Sequence, residues 1–413
     1  MIAYVKNYSP FLLPMLLVFS RSLADVTIVF VSILFLYHSY KNIGWEWLKN
    51  KWFCFAFAFF IFCLTFNSAM SIDPSETFAY SLFFIRWPIF AMALAIWILN
   101  DLKSLKKFFF SMTIILIFII FDTWWQFFFD YDIFGFQKTS SGRLTGPFEG
   151  KPHVGSWVAK LSLLPPLFFV LHYKLKIFKN YIPLCFFIFS TLLLLSVFIT
   201  GERMALLLTF SCILFITFGL VFDKVITKKE FITFSSISFL FILIFLYFFP
   251  SVAERSFFST ITKFINWKSS DYGFVWQTAY EVWMQSPYFG VGLHKYRDAC
   301  NAFAQVSPDF SKAIGNAACF HPHNISLQLL SETGIFGFLI FYIMVLSLAF
   351  SSLKIFFLKK AWFFFSLSFC IIFSCFLPIA SNTSFFSNKY GAIVWLLIGV
   401  MLAVNNLYKT NHN

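Results

Sequence analysis

Residues 181–222 read YIPLCFFIFSTLLLLSVFITGERMALLLTFSCILFITFGLVF. Each apolar run approaches the ~20 residues that a helix needs to cross a bilayer, and only Gly201, Glu202 and Arg203 separate them. The pair therefore reads as two spans joined by a tight turn, which holds charge at the membrane surface, where an idle charge is costly.

The same pattern extends over the chain. Of 413 residues, 60% are hydrophobic, 66 are Phe and 12% are charged, which excludes a soluble globular domain with a water-facing surface. Twelve spans are predicted, near residues 10–22, 26–40, 52–68, 79–99, 108–129, 155–173, 181–200, 204–222, 233–250, 335–353, 362–379 and 390–408. The expected fold is an all-α membrane protein with about 12 transmembrane helices and a large loop between spans 9 and 10. Residues 1–413 contain no repeat or low-complexity linker and are expected to form a single polytopic domain.

The connectors alternate in charge. One set holds Lys6, Lys41, Lys49, Lys51, Lys103, Lys106, Lys107, Lys174, Lys176, Lys179, Lys224, Lys228, Lys229, Lys354, Lys359, Lys360 and Lys409 against only Glu46, Asp101, Asp223 and Glu230. The whole net charge of +13 lies on this side. By the positive-inside rule it is cytoplasmic, with both termini inside. The basic balance thus reports topology, and no nucleic acid is expected as a partner. At the N-terminus, Lys6, a short apolar run and SRSLAD (residues 20–25) also allow a cleaved signal peptide. The two long connectors, 130–154 and 251–322, face outward, and function tends to sit on such loops over a rigid scaffold.

All six arginines, Arg21, Arg86, Arg143, Arg203, Arg255 and Arg297, fall on the outer side or in the outer part of a span. The guanidinium fork matches phosphate bidentately, so the outer face is expected to bind an anion. Arg21 and Arg255 read equally well as snorkelling interface residues. Arg143 lies in SSGRLTGPFEGKPHVG (140–155), whose glycines let backbone approach a ligand closely. Arg86 is either buried opposite a partner or lines a cavity, and the cavity is favoured.

Histidines share the bias. His153, His294, His321 and His323 lie outside, whereas His38, His172 and His412 lie inside. In HPHNISLQLLSETGIFG (321–337), Pro322 suits a first helical position. His323 is then expected in the first turn, where the helix dipole disfavours the imidazolium and leaves a neutral base. Asn324 is expected to orient it or to bind a sugar hydroxyl, and His321 is a second candidate binding residue. SETGIFG (331–337) predicts a short amphipathic helix capped at Gly334, followed by the true span. A metal is not expected: His321, His323, Asp130 and Asp132 offer ligands, but the histidines lack the helical spacing of zinc hydrolases. Six cysteines (Cys54, Cys63, Cys185, Cys212, Cys370, Cys375) read as small apolar residues of spans. Cys300 and Cys319 lie in the long outer loop and are expected to form a disulfide.

His323-Asn324, nine residues, then Gly334-x-x-Gly337 resembles the signature of the O-antigen ligase and polymerase superfamily, bacterial inner-membrane glycosyltransferases. The resemblance extends to the Arg203 turn, SPYFGVG (286–292), the large outer loop and the twelve spans. It departs at Phe338, where ligases usually show Thr or Tyr, and at Tyr272, where the family often has an Arg four residues before the position of Trp276. One usual phosphate contact is then absent or taken over by Arg255 or Arg297. The resemblance implies an undecaprenyl-diphosphate-linked glycan donor, a lipid A-core acceptor, surrounding membrane lipids, and catalysis without metal or other cofactor. His323 would deprotonate the acceptor hydroxyl while Arg203, Arg143 and Arg86 hold the diphosphate. A ligase is favoured over a polymerase extending the same glycan. A twelve-span transporter is the non-enzymatic alternative, but such folds repeat their halves around a mid-membrane site.

Overall fold

A computed structural model of the chain describes residues 2–140, 142–148, 150–166, 181–254, 265, 270–306, 319–380 and 383–410. Among these there is no strand, only an isolated bridge between Tyr131 and Gln137. In hydrocarbon no water can satisfy exposed backbone groups, so a chain this apolar folds into helices that satisfy their own.

The helices are α1 (Ile2–Phe19), α2 (Arg21–His38), α3 (Lys51–Phe62), α4 (Pro74–Phe84), α5 (Arg86–Ala93), α6 (Leu102–Phe129), α7 (Val154–Leu161), α8 (Ile182–Thr200), α9 (Arg203–Phe222), α10 (Lys228–Phe248), α11 (Asp271–Gln285), α12 (Tyr296–Val306), α13 (Ile325–Leu358), α14 (Trp362–Phe376) and α15 (Asn388–Thr410). A one-turn helix, Pro250–Ala253, follows α10. Among the described residues, eight helices are long and apolar enough to cross a membrane, and Lys51–Asn67 and Trp362–Phe376 are shorter apolar ones. The protein is an all-α, multi-pass membrane protein. Two expected spans have no counterpart in that set. The first is the helix Ile2–Phe19, which carries Pro10 and Pro14 and stops at Ser20. The sixth is described as helix over Val154–Leu161, and its later residues lie outside the described ones.

The core mixes leucine and phenylalanine. Phe341 of α13 sits edge-on to Phe59, Phe376 and Phe385 at centroid distances of 5.3, 5.9 and 5.3 Å, the geometry that aromatic quadrupoles favour.

One crossing joins α13 to the stretch that precedes α12. As expected, a short helix and the following span meet at Gly334, whose backbone is non-helical (φ 65°, ψ −174°), and together they make up the kinked α13. A Cβ there would sit 2.2 Å from the carbonyl oxygen of Tyr288, so only glycine lets the Ser286–Leu293 stretch pass across the kink. The freed backbone groups pair across the crossing. Val291 N donates to Ser331 O (2.9 Å), Gly292 N to Glu332 O (3.0 Å) and Ile335 N to Pro287 O (2.9 Å). Asn67 completes the join: its Nδ2 donates to Phe289 O (2.7 Å) and Glu332 O (2.8 Å), and its Oδ1 accepts from Leu293 N (3.0 Å). Non-helical backbone at this depth requires such partners.

Candidate functional site

Four chain segments meet in a cleft of about 120 Å³ lined by Arg143, Pro152, His153, Gly201, Glu202, Arg203, Met204, Tyr272 and His323. The turn between α8 and α9 supplies Arg203. Gly201 ends α8 in the left-handed region (φ 70°) and Arg203 begins α9. Glu202 turns inward as a brace: its carboxylate accepts from Gly155 N (2.7 Å), Ser156 N (3.1 Å) and Ser156 Oγ (2.7 Å) at the start of α7. Burial raises the Glu202 carboxyl above its ordinary range, opposed by those hydrogen bonds.

The loop after α6 supplies Arg143 and His153. Arg143 occupies a tight turn in which its N donates to Thr139 Oγ1 (2.9 Å) and its O accepts from Thr139 N (3.0 Å). Gln126, buried near the end of α6, anchors the loop just beyond. Its Oε1 accepts from Thr145 N (2.8 Å) and Gly146 N (3.0 Å), and its Nε2 donates to Thr145 Oγ1 (2.8 Å). His153 is pushed down to about 4, first by burial, then by Lys389, Lys151, His323 and Arg143. It is therefore neutral near pH 7.

The third segment brings His323. The helix starts later than expected: Asn324 is the N-cap of α13, accepting from Leu327 N (3.2 Å), and Ile325 is its first residue. His323 thus precedes the helix, at φ 50°, and the argument from the helix dipole does not apply to it. Asn324 uses its side-chain oxygen on the cap. His321 and His323 lie together, with Nε2 of one 3.1 Å from Nδ1 of the other and ring centroids 3.9 Å apart. Tyr272 stands edge-on to His323 at 5.8 Å.

The remaining candidates are elsewhere. Arg86 is not in this cleft: it pairs with Asp25 (3.4 Å), donates to Asn388 Oδ1 (2.9 Å) and Phe83 O (2.9 Å), and lies over the Trp87 ring. Both sequence alternatives hold in part, since Arg86 has a partner and also lines a separate small pocket. Arg297 is exposed and lies over the Phe320 ring at 5.0 Å. Arg255 lies outside the described residues. Cys300 and Cys319 are disulfide-bonded, with Cα atoms 5.4 Å apart. Among the described residues no three His, Cys, Asp or Glu side chains cluster as a metal site would require.

Over residues 188–342 the chain matches the protein family described as O-antigen ligase. In that segment the chain is similar to O-antigen ligases. That segment holds Arg203, Tyr272, His321, His323 and the Gly334 kink, whereas Arg143 and His153 reach the cleft from before it. No curated protein matches the chain. Tyr272 stands in the cleft wall, and Arg297 is not among the lining residues. Sequence reasoning passed over His153, Glu202 and Tyr272 as site residues. The only signal for His153 was its place among the outer histidines. Glu202 stood beside Arg203 in the turn, with nothing local to show that it would reach α7.

Proposed function

We propose that the protein is an O-antigen ligase that transfers glycan from undecaprenyl diphosphate to a sugar hydroxyl of lipid A-core. The observation that carries this reading is the convergence of Arg143, Arg203 and His323 on one cleft in a chain whose residues 188–342 match the O-antigen ligase family. The arginine-bearing end of the bundle faces the periplasm, both termini lie in the cytoplasm, and the chain works as one polytopic unit in the bacterial inner membrane. Loops 130–154 and 251–322 form its active-site side.

In the reaction, His323 takes the proton of the acceptor hydroxyl as that oxygen bonds to the anomeric carbon. The bond from that carbon to the phosphate oxygen breaks, and its electron pair leaves on the diphosphate. Arg203 and Arg143 stabilise the departing charge with bidentate hydrogen bonds. A single displacement inverts the anomeric carbon. Because guanidinium groups meet the developing charge, transfer is expected to proceed in the presence of a chelator.

Deleting the gene tests the reading. A ligase leaves long glycan accumulating on the undecaprenyl carrier above bare lipid A-core, whereas single repeats on lipid A-core would identify a polymerase instead. With purified protein, His323→Ala is expected to lower transfer about 100-fold or more, within the 10² to 10⁴ that a positioned base contributes. Undiminished transfer would remove His323 as the base.

A further inference from the structure

A second cleft opens at the same end of the bundle, lined by Tyr80, Arg86, Trp87, His294, Phe386 and Asn388 among others. It neighbours the first: Asn388 lines it, while the next residue, Lys389, lies over Phe148 and Trp157 and acts electrostatically on His153 of the first cleft. The two clefts therefore flank the start of α15.

Their chemistry differs. In the second cleft Asp25, Asn388 and Arg86 form a chain of planar polar groups. Asn388 Nδ2 donates to Asp25, Arg86 Nη2 donates to Asn388 Oδ1 (2.9 Å), and Arg86 also pairs with Asp25 (3.4 Å). The guanidinium charge is thus already matched, yet its Nε is buried without a hydrogen-bond partner among the described residues. His294 is held in the left-handed region (φ 68°), its N donating to Glu332 Oε2 (2.8 Å), and its ring stacks on Tyr80 at 4.3 Å and 8°. A non-glycine residue kept at such a φ is over-determined by its surroundings, as at ligand clamps. Nearby, Lys295 meets three carboxylates, Asp73 (3.2 Å), Glu76 and Asp298 (3.2 Å). These four groups, which lie outside the cleft's lining, are net negative together.

We propose that this second cleft is a subsite for the uncharged sugar of a glycan, resting on the reading of the first cleft as the diphosphate and transfer site. Aromatic surface together with a few fixed planar polar groups orients a pyranose ring by its apolar C–H face and its hydroxyls. The free space, about 40 Å³, exceeds the ~10–15 Å³ of cavity volume that one water needs. It accepts one hydroxyl or hydroxymethyl group, while the ring lies outside over Tyr80 and Phe83, near the N-terminal end of the Pro74–Ile98 span and within reach of the bilayer surface. The sugar belongs either to the donor repeat or to the acceptor core, and the two share this chemistry.

The test uses purified full-length protein in detergent and two probes, the donor repeat oligosaccharide freed of its lipid diphosphate and the dephosphorylated core oligosaccharide. Saturation-transfer NMR is expected to show one of them binding, and which one names the source. Tyr80→Ala and His294→Asn should each weaken that binding at least tenfold, Asn being a residue that tolerates the left-handed region, whereas His323→Ala should leave it unchanged. Absence of binding by both probes, binding that requires phosphate, or binding unaltered in both cleft variants would overturn the proposal. Glycan binding sensitive to Tyr80 in a protein whose transfer survives His323→Ala would instead overturn the transfer site and keep this one.

Discussion

Arg203 and His153 show how single residues are set for the proposed chemistry. Arg203 begins α9 at the mouth of the cleft. If its role is to clasp phosphate with two parallel N–H groups, a point charge on a flexible stem will not replace it. Arg203→Lys is therefore expected to lose most transfer in a vesicle assay, and full turnover would reduce the residue to a generic counter-charge. His153 makes a pH prediction. Its folded value of about 4 lies below the ~6.5 of an unperturbed imidazole. The unfolded chain then binds the extra proton first, so stability is present above about pH 6.5 and falls as pH drops towards 4. Melting temperatures measured from pH 7 to pH 4.5 are expected to fall less in His153→Gln than in the unaltered protein. Identical slopes would show that His153 does not couple folding to protons.

At the scale of elements, the stretch Ser286–Leu293 crosses over the kinked α13. Gly334 carries it. Any side chain there must tolerate φ 65° and displace the Tyr288 carbonyl; the dihedral alone costs about 1–3 kcal/mol. Gly334→Ala is thus expected to lower the melting temperature measurably and to impair transfer by shifting the start of α13, and unchanged stability would contradict the crossing. The Cys300–Cys319 disulfide acts on the approach to the same helix, ending two residues before His321. In the chain-entropy account a loop of this size gains roughly 3 kcal/mol from closure. Non-reducing mass mapping should find the two peptides joined, and replacing both cysteines by Ser should lower the melting temperature.

At the scale of the whole molecule, the lysine asymmetry predicts the orientation. Cysteines introduced singly into residues 103–107 and into the 286–298 stretch are expected to be labelled from opposite sides of the membrane, the second from outside. Outside labelling of residues 103–107 would invert the compartment of every residue discussed here.

Span-length apolar runs and the lysine asymmetry were legible because they are one-dimensional: a bilayer demands a local length, and the positive-inside rule counts charges in connectors. The Gly201-Glu202-Arg203 turn, the kink at Gly334 and the cysteines outside the spans are equally local. What no local pattern contains is which outer residues share a cleft. Arg86 and Arg203 look alike in sequence, yet Asp25 and Asn388 hold the first in another cleft. His323 read as a first-turn residue from Pro322, but Asn324 captured the cap and left His323 in the preceding turn. Glu202 reaches back to Gly155 and Ser156, and Gln126 pins Thr145 and Gly146, across separations that side-chain reach and helix packing alone decide. The sequence by itself determined a helical membrane protein with its unusual charges at one end. Tertiary structure decided which of those charges meet, because a site is made by contacts between segments far apart in the chain.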